Sequence, residues 1–268
     1  MANLTRTAKS GSDWSAYELA AYNIIVRSPP STDFLGYEPN APLDNLDPLF
    51  VSGTFDQAEL AESDSTFRLF QYLKFATIRN VGQQSAINDL VKELLRLLGY
   101  EERGLLFRSN YAIPLLICGG SQPCHAQTDV CLVRGDTILL IIKTVLSLDE
   151  PYESQVIAAA IAAFQRNNRT RSDRGLPCLD KMVIPCIVMI KTRPVFYKVP
   201  VTKELSDAVV IGHYPAETTY VDDCYVVSPS RRLNLIEGME SPEYRKMVLQ
   251  HFVAFKDVAK SLWQNFLD

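Results

Sequence analysis

TILLIIK, residues 137 to 143, restricts the fold of this chain more than any other stretch. Between Thr137 and Lys143 every side chain is isoleucine or leucine, with no polar alternation. A strand with one wet face would alternate, so this run reads as a strand covered on both faces. Such a strand lies at the centre of a sheet with helices on either side. AQTDVCLV leads into it, with a first strand from Gln127 to Val133. Arg134-Gly135-Asp136 supplies the turn, and the second strand runs from Thr137 to Lys143. The expectation is a β-hairpin whose second strand is interior.

The flanking segments supply the helices. STFRLFQYLKFATIRN, residues 65 to 80, opens on hydroxyl residues suited to a cap. SAINDLVKELLRLLGY, residues 85 to 100, carries a broad apolar stripe ended by Gly99. GLLFRSN and YAIPLLIC read as short strands, with Pro114 marking an edge. YESQVIAAAIAAFQRNN follows Pro151, and its run of alanines favours a helix packed close to a sheet. RTRSDRGLP then reads as a basic loop and KMVIPCIVMIK, residues 181 to 191, as another central strand. VTKELSDAVVIG reads as a short helix followed by a strand. A long helix is expected from Pro242 to about Phe266. Residues 1 to 64 read as an irregular extension, preceded by a short helix in WSAYELAAYNIIV. It is expected to pack on the rest through Phe34, Tyr37, Leu46 and Phe50. Residues 65 to 268 read as one α/β domain with a mixed sheet.

Composition narrows the class of function. The chain of 268 residues is 47% hydrophobic and 22% charged, the balance of a globular protein. No apolar run is long enough for a membrane span or a secretory leader, so an intracellular protein, cytoplasmic or nuclear, is expected. The sequons at Asn3 and Asn168 are therefore read as chance. Six cysteines are present, at 118, 124, 131, 178, 186 and 224, and none forms a CxxC pair. Reduced thiols are expected, with Cys131 and Cys186 as small hydrophobes inside strands. His125 beside Cys124 is the one hint of a His-Cys metal pair, with a satisfied loop histidine the plainer reading; His213 and His251 stand alone. No Gly-x-Ser-x-Gly elbow, Walker loop, GxGxxG turn or HExxH pair occurs.

Net charge is −4 but uneven. Residues 165 to 203 hold nine Lys or Arg against Asp173 and Asp180, a local +7, which leaves −11 elsewhere. Arg166, Arg169, Arg171 and Arg174 are the candidates for contact with a nucleic-acid backbone; a solvated rim is the plainer reading.

The order helix, strand, hairpin, helix, strand over residues 85 to 200 resembles the core of the PD-(D/E)XK nuclease-like superfamily, the restriction-endonuclease-like fold. The stretch from Asp129 to Arg171 is similar to a group of mushroom (basidiomycete) proteins. In that group a TDV-type strand leads to a strand ending in QEDK and a helix like PQLIAEAIAAFQRNN. QVIAAAIAAFQRNNRTR matches that helix here. The resemblance implies an acid on the first hairpin strand and an acid-x-lysine triplet on the second. The two acids would hold Mg²⁺, which activates water and offsets charge developing on phosphate.

Asp129 falls at the first acid. With Lys143 as the lysine, the second acid position is Ile141; with Lys143 in the acid's place, the lysine position becomes Val145. Gln155 is retained, and Ala159 stands where the group has Glu. Asp129, Lys143 and Gln155 are thus residual site residues, with Asp129 the one metal ligand. The expectation is a catalytically degenerate nuclease-like binding module for nucleic acid or protein, with no cofactor. One alternative is an active nuclease using Mg²⁺ with an acid relocated to Asp136, Asp149, Glu150 or Glu153. Another is a defence, signalling or carbohydrate-recognition role. Tyr152 reads as packing.

Overall fold

The computed structural model describes residues 6–120, 123–228 and 238–266. The apolar run forms a strand, Thr137–Val145, in which Ile138 through Ile142 are all buried. In chain order the strands are β1 (Ile24–Arg27), β2 (Leu105–Leu115), β3 (Cys124–Arg134), β4 (Thr137–Val145), β5 (Lys181–Ile190), β6 (Arg193–Thr202) and β7 (Thr219–Tyr225). They make one mixed sheet in the order β1-β7-β6-β5-β4-β3-β2. The hairpin of β3 and β4 closes with Arg134 opposite Thr137, through Gly135 at φ 56°, a left-handed position that suits glycine. β4 and β5 run parallel and β1 pairs parallel with β7; the other neighbours are antiparallel. β2 is an edge strand, which tolerates Pro114.

The helices are α1 (Ala16–Ala21), α2 (Ser31–Leu35), α3 (Pro48–Ser52), α4 (Asp64–Thr77), α5 (Gln83–Leu97), α6 (Tyr152–Asp173), α7 (Lys203–Ile211) and α8 (Pro242–Trp263). They cover both faces. On one, α4, α5 and α8 pack on Val130, Leu132, Leu140, Ile142, Ile187 and Phe196. On the other, α6 and α7 pack on Cys131, Ile141, Cys186, Val188 and Tyr197. The alanines of α6 are all buried, so the helix lies close to the sheet. Gly11 is wedged in the same layer: a Cβ there would stand 2.8 Å from the Ala126 Cβ and 3.2 Å from that of Ala158.

Five segments differ from the sequence reading. GLLFRSN and YAIPLLIC, read as two short strands, form the single strand Leu105–Leu115, its long pairing with β3 carrying it through Asn110. Residues 24–27 are strand β1, not helix, because Asn23 at φ 54° ends α1 and the β-branched run that follows extends along β7. The first 64 residues therefore carry α1, β1, α2 and α3 rather than one irregular tract, and Tyr37 stays exposed while Phe34, Leu46 and Phe50 are buried. Arg169 to Asp173 continue α6, which stops before Gly175 at φ 71°. Residues 207–211 belong to α7: the Thr202 hydroxyl caps its start and Gly212 at φ 72° ends it. Among the described residues no helix is long and apolar enough to cross a membrane. The sequon at Asn3 lies outside the described residues. Asn168 is inside α6, its side chain bonded to both backbone groups of Leu179.

Candidate functional site

The hairpin register sets Val130 against Ile142, which brings the next pair, Asp129 and Lys143, together. The Lys143 ammonium lies 3.6 Å from Asp129 Oδ2. The Thr144 backbone N–H donates to that same oxygen at 2.8 Å. Both side chains are largely shielded, so the pair is a shallow buried ion pair rather than a solvated one. Opposite Asp129 on the edge strand, Asn110 takes a left-handed conformation, φ 52°, within β2.

Ile141 is fully buried in the layer under α6 and offers no oxygen to a metal. Thr144, on the other face, is tied to α5. Its hydroxyl donates to Asn88 Oδ1 at 2.7 Å, and the Gln84 amide donates to the Thr144 carbonyl at 2.6 Å and hydroxyl at 2.5 Å. Gln84 and Asn88 stand one helical turn apart on α5, so both amides face the end of β4. Neither was singled out by the sequence, because their partner lies some sixty positions away and an amide pair on an amphipathic helix is an ordinary solvated feature.

Gln155 does not join the pair: its amide donates to the Ser12 carbonyl at 2.9 Å. Three of the four acids considered for relocation are engaged elsewhere. Asp136 pairs with Arg174 at 3.6 Å, at the opposite end of β4. Glu150 accepts the backbone N–H groups of Leu146 and Ser147, and Asp149 accepts the Ser147 hydroxyl. Glu153 titrates above the ordinary carboxylate range through burial and then the charge of Asp223, which places it toward β7. Among the described residues no three His, Cys, Asp or Glu side chains converge as a metal-ligand group. The donor set around Asp129 does not fit Mg²⁺. It offers one carboxylate already paired with an ammonium, where a hard cation wants several oxygens.

The basic segment does not fold into one face. Arg166, Arg169, Arg171 and Arg174 ride on the last turns of α6 and its cap. By helical rise that is about 16 to 28 Å beyond Gln155. Arg169 lies 4.0 Å from Asp173, and the Arg171 guanidinium donates to the Pro177 carbonyl at 2.8 Å. Arg166 is half-buried. Lys191 and Arg193 lie at the other end of the sheet, where the Lys191 N–H donates to Val145. A cavity of about 490 Å³ opens there, past the carboxyl ends of β4 and β5, between Leu146–Asp149 and Lys191–Val195. In open α/β sheets that end of a parallel pair is where ligands bind.

The six cysteines are free thiols, with Cys131 and Cys186 fully buried in strands. Burial pushes the Cys131 thiol up to about 12, so it is no nucleophile. His125 is exposed, and His251 is buried with Nδ1 2.8 Å from the Met247 carbonyl. The Tyr152 hydroxyl lies 3.5 Å from that of Tyr225. No protein-family model matches this chain, and no curated protein is detectably similar to it.

Proposed function

We propose that this protein is a catalytically degenerate member of the PD-(D/E)XK nuclease-like superfamily that works as a binding module rather than a hydrolase. The succession α5-β2-β3-β4-α6-β5, with β4 and β5 parallel and adjacent, supports the superfamily reading. One observation carries the loss of catalysis. The only acid at the expected place, Asp129, is held by the Lys143 ammonium and the Thr144 N–H, while Ile141 fills the second acid position with hydrocarbon. A single carboxylate neutralised in this way cannot replace the water shell of Mg²⁺. What remains of the site serves to lock the hairpin end to α5.

A protein partner is favoured over nucleic acid. The chain is acidic overall, and the arginines of α6 lie at the opposite end of the sheet from Asp129, engaged in part with Asp136 and Asp173. Mg²⁺ and Mn²⁺ titrated into the wild type and into Asp129→Ala, with cleavage of single- and double-stranded DNA and RNA followed in parallel, test this reading. No saturable metal binding and no cleavage are expected in either protein. Metal-dependent cleavage that disappears in Asp129→Ala would overturn it.

A further inference from the structure

The cavity of about 490 Å³ past the carboxyl ends of β4 and β5 is bounded on one side by the β5–β6 turn. Ile190 pairs with Arg193, so Lys191 and Thr192 alone make that turn. Lys191 takes φ 54°, the left-handed region, where tight hairpin turns favour glycine or asparagine. A lysine is strained there, and its surroundings hold it in place. Its N–H donates to the Val145 carbonyl at 2.9 Å. Thr192 is buried, its hydroxyl donating to Glu240 Oε2 at 3.1 Å and accepting the Met239 N–H at 3.2 Å. Backbone strain that the surroundings enforce in this way points to a function for the residue that bears it.

Four charged side chains line the cavity: Lys191, Arg193, Asp149 and Glu240. Both carboxylates already hold donors. Glu240 accepts the Thr192 hydroxyl and the Gly238 N–H, and Asp149 accepts the Ser147 hydroxyl. The Arg193 guanidinium lies 5.9 Å from the centre of the Tyr244 ring. Of the four, Lys191 alone has a side chain with no hydrogen bond or ion pair among the described residues, and it is exposed. Hydrocarbon supplies much of the remaining wall, through Leu146, Leu148, Pro194 and Val226. Leu146 and Leu148 are themselves exposed, so an apolar lip stands beside an uncommitted cation.

We propose that this cavity binds an organic monocarboxylate, its carboxylate paired with the Lys191 ammonium and its apolar body lying against Leu148, Pro194 and Val226. A carboxylate only accepts hydrogen bonds and an ammonium only donates them, so the two are complementary. The volume and the mixed lining suit a small ligand. A phosphate or other dianion is the poorer match, since Asp149 and Glu240 would repel it. An organic cation would meet Lys191 and Arg193. The proposal rests on the reading of the chain as a binding module, yet the two fail separately: cleavage reports on Asp129, and titration with acids reports on Lys191.

Calorimetric titration of the full chain with isocaproate, N-acetyl-leucinate, isocaproamide and isoamylamine tests the site. Saturable binding is expected for the two acids and none for the amide or the amine. Lys191→Asn separates the ammonium from the turn, because asparagine tolerates the left-handed backbone. It should melt close to the wild type and weaken both acids about ten-fold or more. Tighter binding of N-acetyl-leucinate than of isocaproate would name the carboxyl terminus of a partner chain as the natural source. The reverse order would name a free acid. Failure of both acids to saturate, equal binding of the amide, or unchanged affinity in Lys191→Asn overturns the proposal. If Lys191→Asn fails to fold, the wild type alone decides: isocaproate must raise its melting temperature while isocaproamide leaves it unchanged.

Discussion

At the scale of single residues, Asp129 is a structural acceptor. Its Oδ2 receives the Thr144 N–H and faces Lys143, so Asp129→Ala leaves a buried ammonium and a buried N–H without their acceptor. A loss of about 1–3 kcal/mol in urea unfolding is expected. Lys143→Met should cost less than Asp129→Ala, because methionine keeps the packing stem and the carboxylate retains the Thr144 bond. Asp223 makes the opposite prediction. Burial lifts its carboxyl above the ordinary value of 3.8, so the folded chain holds a proton that the unfolded chain has released. Between 3.8 and the raised folded value, stability therefore falls as pH rises, and above that window the penalty is constant. Asp223→Asn should melt above the wild type at pH 7, with the gap closing as pH drops toward 3.8 in scanning calorimetry. The contrast between two aspartates was half legible in the sequence. The short turn brings Asp129 near Lys143, but alone it would set Asp129 against Ile142; the register shift between Leu132 and Val133 makes the pairing direct. Asp223 meets Tyr197 only once β7 has docked on β6 and β1 has ended early, and no local pattern signals either event.

At the scale of elements, the segments read correctly were those whose signal is local: the apolar strands, the alanine-rich α6 and the stripes of α5 and α8. Those missed were decided by single residues or by distant partners. Asn23 turned a helical reading into β1, whose partner β7 lies near residue 220. Gly175 and Gly212, rather than the polar or β-branched residues before them, set where α6 and α7 stop. The tie between α5 and β4 through Gln84 and Asn88 was likewise invisible, since helix docking is not encoded in periodicity. Gly11 shows how tightly such docking is drawn. The segment around it fits between β3 and α6 only because it has no side chain. Gly11→Val should destabilise by about 1–3 kcal/mol through overpacking, with Gly11→Ala less severe, measured by thermal melts.

At the scale of the whole molecule, the sequence suggests a boundary near residue 64 that the packing crosses repeatedly. β1 closes one edge of the sheet, and Trp14, Phe34 and Phe50 fill both layers. Arg245 of α8 is fully buried, its guanidinium donating to the carbonyls of Phe50, Gly53 and Met239. Burial lowers its pKa to about 10, and removing residues 1 to 64 would strip two of its three acceptors. A chain beginning at residue 65 is expected to lose cooperative unfolding and to bind the dye ANS; a sharp melt like that of the full chain would show that the extension is separable.

The two tryptophans divide between the two sides of the sheet: Trp14 belongs to the layer under α6 and Trp263 to the layer under α8, each at most 1% exposed. Each side therefore carries its own optical reporter. In Trp14→Phe the emission follows only the α8 side, and in Trp263→Phe only the α6 side. Superimposable denaturation curves from the two variants would mean that the sheet couples its faces into a single cooperative unit. Separated curves would give the order in which the layers come apart, and with it the side from which a partner could most easily pry the molecule open.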